Sequence, residues 1–192
     1  MGVFIWFYIS NNYQYQPINR NYAQTRQNDS KNSKKNNLSS NFETKPQAEP
    51  KPEPIFYSIN HVVDGDTVAI NISDDVMLIR IIGIDSPEID SIYTKQECFG
   101  KEASAKLKEL LNNKSVRVEY DDSQGMLDKY SRLLAHLFLE NGTNVGGYMI
   151  DHGYAREYTF NKPYVYQKKF KDAEYVAQEQ KLGLWAPDAC IK

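Results

Sequence analysis

Residues 76–88 read VMLIRIIGIDSPE, running from Val76 to Glu88. Seven of the first nine residues are apolar and five of those are β-branched, which predicts a strand over Val76–Ile84. Arg80 interrupts that run, flanked by Leu78, Ile79, Ile81 and Ile82. A guanidinium among such neighbours needs an anionic partner, either a carboxylate or a phosphate. Asp85, Ser86, Pro87 and Glu88 follow directly. Ser86 and Pro87 suit a helix cap and a first helical residue. A helix start alone leaves Arg80 unexplained.

Working outward, similar runs at Phe56–Val63, Thr67–Ile72, Val116–Tyr120 and Leu133–Leu139 bring the predicted strands to five, with turns at Asn71–Asp75 and Glu140–Thr143. Ala103, Leu107, Leu110 and Leu111 share one face of a helix between the third and fourth strands. A short helix is expected over Asn144–His152, ended by Gly153. A third is expected to open at Pro163, with Tyr166, Phe170, Ala173 and Ala177 at helical spacing and Gly183 beyond it. Three strands, a helix, two strands and two helices match an all-β/α+β fold: a five-stranded OB-type barrel with about three helices.

This domain is expected to span residues 55–192. Residues 11–54 are rich in Asn, Gln, Ser, Lys and Pro, and lack the apolar mass to offset chain entropy, so a disordered tether is expected there. They hold seven Lys/Arg against four Asp/Glu, while residues 1–10 carry no charged side chain. With a whole-chain charge of −2, the domain is left at −5. An acidic domain is a poor general phosphate binder, so any nucleic-acid role must come from a local arrangement.

Residues 1–10, MGVFIWFYIS, are too short to span a bilayer and lack the basic segment and cleavage site of a signal peptide. They read as the remnant of a membrane anchor or signal, or as a mis-called start. A short apolar segment before a polar tether leads us to expect an exported or membrane-anchored protein, its domain outside the cytoplasm. Cys98 and Cys190 are too far apart for a zinc cluster. A disulfide between them suits an exported chain, with two unrelated thiols as the alternative. His61, His136 and His152 show no metal-ligand spacing, and His136 falls within an apolar strand.

Three segments carry candidate chemistry. In HVVDGDTVAI, residues 61–70, Asp64-Gly65-Asp66 reads first as a tight turn. As an alternating strand it would instead place Asp64, Asp66 and Val68 on one face, an arrangement that needs compensation for its carboxylates. The second segment holds Arg80 and Asp85–Glu88. In the third, LDKYSRLLAHLF at residues 127–138, Arg132 stands where a loop meets a strand.

D-G-D-T, then R-x4-D-S-P-E, then D-K-Y-S-R, in that order, resemble the staphylococcal nuclease (thermonuclease) family. The resemblance runs from His61 to Trp185 and includes FGKEAS, NVGGYMIDHGYA and KLGLW. It implies an OB-fold nuclease that hydrolyses phosphodiester bonds of DNA and RNA and leaves 3′-phosphates. It further implies Ca²⁺ as cofactor, held by Asp66, Asp85 and the backbone carbonyl of Ser86. Glu88 would activate the attacking water, and Arg80 and Arg132 would clamp the phosphate. Asp128, Lys129 and Tyr130 resemble nucleotide-pocket residues. Tyr158, and Phe160 less cleanly, fall near base-stacking tyrosines suited to single-stranded or frayed substrate. Ser86 stands in place of the usual threonine and Ser131 in place of the usual glycine before Arg132. A monomer is expected. The competing expectation is a non-catalytic OB-type module binding nucleic acid or protein, a class that lacks these carboxylates and arginines.

Overall fold

The computed structural model describes residues 53–90 and 95–190. The apolar segment 1–10, the expected tether apart from Glu53 and Pro54, and residues 91–94 lie outside them.

Strands β1 (Tyr57–Val62), β2 (Thr67–Ile72) and β3 (Asp75–Ile81) form an antiparallel meander. The chain then crosses over through helix α1 (Gly100–Leu111). Two later barrel strands follow, one at Ser115–Glu119 and the next at Leu133–Leu139. The Leu133–Leu139 strand runs parallel to β3, while Ser115–Glu119 pairs antiparallel with both Leu133–Leu139 and β1, which closes the barrel. Side chains alternating inward fill it: Val68, Ile70, Ile79, Ile81, Val116, Leu133, Ala135 and Leu137 are all buried. Helix α1 covers one side, burying Ala103, Leu107 and Leu111.

The predicted third strand is too long at its end. Gly83 adopts φ 84° and breaks it, as a residue without Cβ can do. The Tyr164 ring lies so close that a Cβ on Gly83 would meet it at 2.4 Å. Ile84–Asp85 therefore leaves the barrel as β4, and the Ser115–Glu119 and Leu133–Leu139 strands become β5 and β6 in chain order. Strand β7 (Arg156–Glu157) pairs with β4. This redirection carries Asp85–Glu88 out over the barrel's end.

Helix α2 (Val145–Asp151) is capped by Asn144, whose Oδ1 accepts the Gly147 N–H at 2.9 Å. Gly153, with φ 71°, follows its end. Helix α3 spans Gln167–Glu179 and starts four residues after Pro163. Residues 164–166 form a turn instead, because other contacts hold them: Tyr164 is buried against Gly83, and the Val165 N–H donates to Asp121 at 2.7 Å. A short 3-10 turn at Gly183–Trp185 leads to Cys190, which is disulfide-bonded to Cys98 across a separation of 92 residues. Among the described residues no helix is long and apolar enough to cross a membrane.

Candidate active site

Asp64-Gly65-Asp66 forms the turn between β1 and β2, so the alternating-strand reading of these carboxylates does not hold. The Asp64 carboxylate accepts the Asp66 N–H at 2.9 Å and fixes the turn. Gly65 is a packing point as well as a turn residue. A Cβ there would lie 2.7 Å from the Ser86 Cβ and 2.9 Å from the Ala103 Cβ. The turn, the Asp85–Glu88 segment and α1 can meet only because that position is bare.

Asp66 is the hub of the meeting point and is only 6% exposed. Its Oδ2 accepts the Ser86 N–H at 3.0 Å and faces Arg80 Nη2 at 3.2 Å. Its Oδ1 accepts the Thr67 hydroxyl at 2.9 Å. Arg132 Nη1 donates to that same hydroxyl oxygen at 3.2 Å. A continuous chain thus runs Arg80–Asp66–Thr67–Arg132, bringing two guanidinium groups from β3 and the β6 entrance to one place. Arg80 Nη2 also lies 3.2 Å from Asp85 Oδ1, while its Nη1 donates to the carbonyls of Ile81 and Ile84. The anionic partner that the sequence demanded for Arg80 is a carboxylate pair.

Arg132 is braced by Asp128, which accepts its Nε–H at 2.7 Å and its backbone N–H at 2.9 Å. Asp128 also accepts the Tyr130 N–H. Both its oxygens are engaged with this loop, so it acts on Arg132. Ser131 holds φ 63°, the left-handed conformation that glycine adopts freely. Tyr130 is exposed, with the Arg132 guanidinium 5.4 Å and the Lys129 ammonium 4.9 Å from its ring centre. Tyr158 follows β7, donates its N–H to Gly83, and stands half-exposed with Phe160 at 6.3 Å between ring centres.

Glu88 is exposed, and its backbone is held from both sides by Glu97. The Glu97 N–H donates to the Glu88 carbonyl at 2.9 Å, and the Glu97 carboxylate accepts the Glu88 N–H at 3.2 Å. Gly100 must be glycine here, since a Cβ would come within 2.1 Å of the Glu88 carbonyl. Sequence reading missed Thr67 and Glu97. Thr67 adjoins Asp66 and could have been flagged; nothing local marks Glu97.

Negative charge predominates. Burial, and then the charge of Asp66, push the Asp64 carboxyl up to about 6. Burial raises Asp85, with Asp66 adding to it and Arg80 opposing it. Glu88 is raised by partial removal from water and then by Asp66, Asp85 and Glu97. Among the described residues no three His, Cys, Asp or Glu side chains form a metal cage. Asp66 and Asp85, facing one arginine nitrogen, nevertheless offer converging hard oxygens beside the Ser86 backbone. That set, amid an excess of negative charge, fits a divalent cation such as Ca²⁺ that completes its shell with water.

The barrel topology defines an OB-type fold, and the site at its end pairs carboxylates with two arginines. The family model described as Staphylococcal nuclease homologue matches residues 78–187, and the chain belongs to that family. The match takes in Arg80, Asp85, Ser86, Glu88 and Arg132 and begins after Asp66. The chain is 33% identical over 130 residues to a thermonuclease of Staphylococcus hyicus, covering 68% of this chain and 75% of that protein. A Staphylococcus intermedius thermonuclease is 34% identical over 130 residues, covering 67% and 75% respectively. The SPbeta prophage-derived endonuclease YokF of Bacillus subtilis is 30% identical over 135 residues, covering 70% of this chain but 45% of that longer protein.

Proposed function

We propose that this protein is a metal-dependent nuclease that hydrolyses phosphodiester bonds of DNA and RNA. The observation that carries the reading is the Arg80–Asp66–Thr67–Arg132 chain, with Asp85, Ser86 and Glu88 beside it. Family membership and the thermonuclease and endonuclease relatives support the same class.

A phosphodiester is anionic and repels an oxygen nucleophile, so its charge must be masked as a fifth bond to phosphorus forms. Planar, bidentate guanidinium forks suit that task, and in this reading Arg80, exchanging a carboxylate contact, and Arg132 grip the non-bridging oxygens. Glu88 accepts the proton of the attacking water. The new water O–P bond forms as the bond to the 5′-oxygen breaks in line, and the leaving oxygen takes a proton from solvent. The products are a 3′-phosphate and a 5′-hydroxyl. Asp66, Asp85 and the Ser86 carbonyl would hold Ca²⁺, which when bound supplies Lewis-acid stabilisation of the phosphate charge. Lys129 supplies charge near the substrate, while Tyr130 and Tyr158 offer exposed faces on which unpaired bases can stack, which favours single-stranded or frayed substrate. We further propose that the protein acts as a monomer outside the cytoplasm, tethered through its N-terminal segment.

The test is cleavage of single-stranded DNA and of RNA, with calcium and with chelator, followed by end-group analysis. Cleavage with calcium, loss of it in chelator and 3′-phosphate ends are expected. Full activity in chelator would remove the metal assignment, and no cleavage under any condition would sink the nuclease reading.

A further inference from the structure

Four lysines, Lys101, Lys106, Lys108 and Lys114, stand along or just beyond α1 in a domain of net negative charge. Lys101, Ser104, Ala105 and Lys108 recur at i, i+3, i+4 and i+7, so they share one face of the helix. That face and residues Ile89 and Asp90 line a cleft of about 290 Å³. The cleft begins immediately after Glu88. Ser104 is 4% exposed, and its hydroxyl has no hydrogen-bond partner. Ser104 is among the residues lining the cleft, and a buried, unsatisfied hydroxyl is costly unless a ligand completes it. Among the described residues Lys101 and Lys108 make no ion pair, whereas Lys106 is paired with Glu109 and Lys168 with Asp172. Lys108 also borders a larger groove of about 690 Å³ between β1 and the end of α1, where Lys114 and His61 stand.

The geometry points to a second phosphate-binding subsite on this face of α1. It takes a phosphate of the nucleic-acid strand away from the scissile bond, with Ser104 donating its hydroxyl hydrogen and Lys101 and Lys108 supplying charge. The inference rests on the nuclease reading of the neighbouring site, since it assigns that site's substrate a path. The separate groove that shares Lys108 and reaches Lys114 favours an extended polyanion over a single nucleotide. Asp90 opposes an anion from the cleft's other wall, and two lysines outweigh it. Such a track would let a domain of net charge −5 hold a polyanion through a local pair of lysines that no carboxylate among the described residues neutralises.

The experiment is binding of a fluorescein-labelled single-stranded DNA 15-mer to the full chain in chelator, by anisotropy over a range of salt. Chelator keeps the probe intact, so binding is read whether or not the protein cleaves; cleavage with calcium, measured separately, tests the nuclease reading on its own. Lys101→Ala with Lys108→Ala should weaken binding about tenfold or more and lower the salt-dependence slope by about 1.4, the value for two released counterions on a single strand. Lys169→Ala with Lys171→Ala, exposed on α3, should change affinity no more than about twofold. Ser104→Ala should weaken binding severalfold while leaving the Tm equal or higher, because it deletes an unsatisfied hydroxyl. A serine kept only for packing would show a lower Tm and unchanged affinity. Asp90→Asn should tighten binding. No binding by the wild-type protein, or the same affinity and slope in the Lys101/Lys108 variant, overturns the subsite.

Discussion

Arg132 and Glu88 are held by their neighbours in different ways, and their substitutions should differ accordingly. Arg132 is clamped by Asp128 and Thr67, so its guanidinium is oriented before any substrate arrives. Truncation to alanine removes a pre-set electrostatic contact, and Arg132→Ala should cut the cleavage rate by about a hundredfold or more. Glu88→Gln should cost about as much, since the amide cannot take the proton, yet Tm should hardly move because the side chain is exposed. A loss below tenfold for either would strip that residue of its proposed role. Ser131 makes the opposite prediction. Its left-handed backbone costs a non-glycine residue roughly 1–2 kcal/mol, partly offset in glycine by greater chain entropy. Ser131→Gly should therefore stabilise the protein by about 0.5–1 kcal/mol in urea unfolding and leave cleavage intact.

At the scale of elements, the docking of α3 onto the barrel contains a titratable group. His136 on β6 is 1% exposed, packed edge-on against Tyr166 and Phe170, and neither ring nitrogen has a hydrogen-bond partner. Asp121 is 3.8 Å away, and Glu119 of β5 and the Tyr164 and Tyr166 rings face the same space. Burial holds the imidazole below its ordinary pKa despite the two carboxylates. The folded state thus keeps His136 neutral where the unfolded chain takes a proton, so stability is full above about pH 6.5 and falls on acidification below it. Burial would raise Asp121, but hydrogen bonds from Ser123 and the Val165 N–H hold it low. Its contribution is present above about pH 3.9 and is lost as pH drops through the folded value. His136→Phe fits the aromatic surroundings and should flatten the upper window while leaving the lower one. Urea unfolding at pH 7.5, 6 and 5 checks this; an unchanged slope would clear His136 of the effect. Such details mark the limit of the sequence. The five strands and the first two helices were legible because their apolar periods are local. The end of β3 was not: Gly83 gave no sign that Tyr164, 81 residues later, would sit over it. Pro163 suggested a helix start, and the pull of Asp121 on Val165 moved it. Asp66, Arg80 and Arg132 could be named from motifs, whereas Glu97's grip on Glu88 depends on pairing that no local pattern encodes.

For the molecule as a whole, the site concentrates negative charge that the fold alone leaves poorly compensated. Asp64, Asp66, Asp85, Glu88 and Glu97 crowd one end of the barrel, with Arg80 as the cation bonded to two of them. A divalent ion that binds only the folded state should raise Tm by mass action, by about 2.7 kcal/mol of stability at a hundredfold excess over Kd. This readout is independent of catalysis. Asp66→Asn is an ambiguous probe because Asp66 also anchors Ser86, Thr67 and Arg80. Asp85→Asn is cleaner, since that side chain is half exposed and its loss removes repulsion along with one arginine contact. We expect calcium to raise the wild-type Tm by several degrees. Asp85→Asn should keep a Tm near wild type in chelator and lose most of the calcium-dependent rise. Magnesium should give a smaller rise, because it demands near-ideal octahedral geometry and gives up its waters reluctantly. Equal calcium-dependent rises in both proteins would place the ion away from Asp85, and no rise in wild type would take the cation out of this end of the barrel.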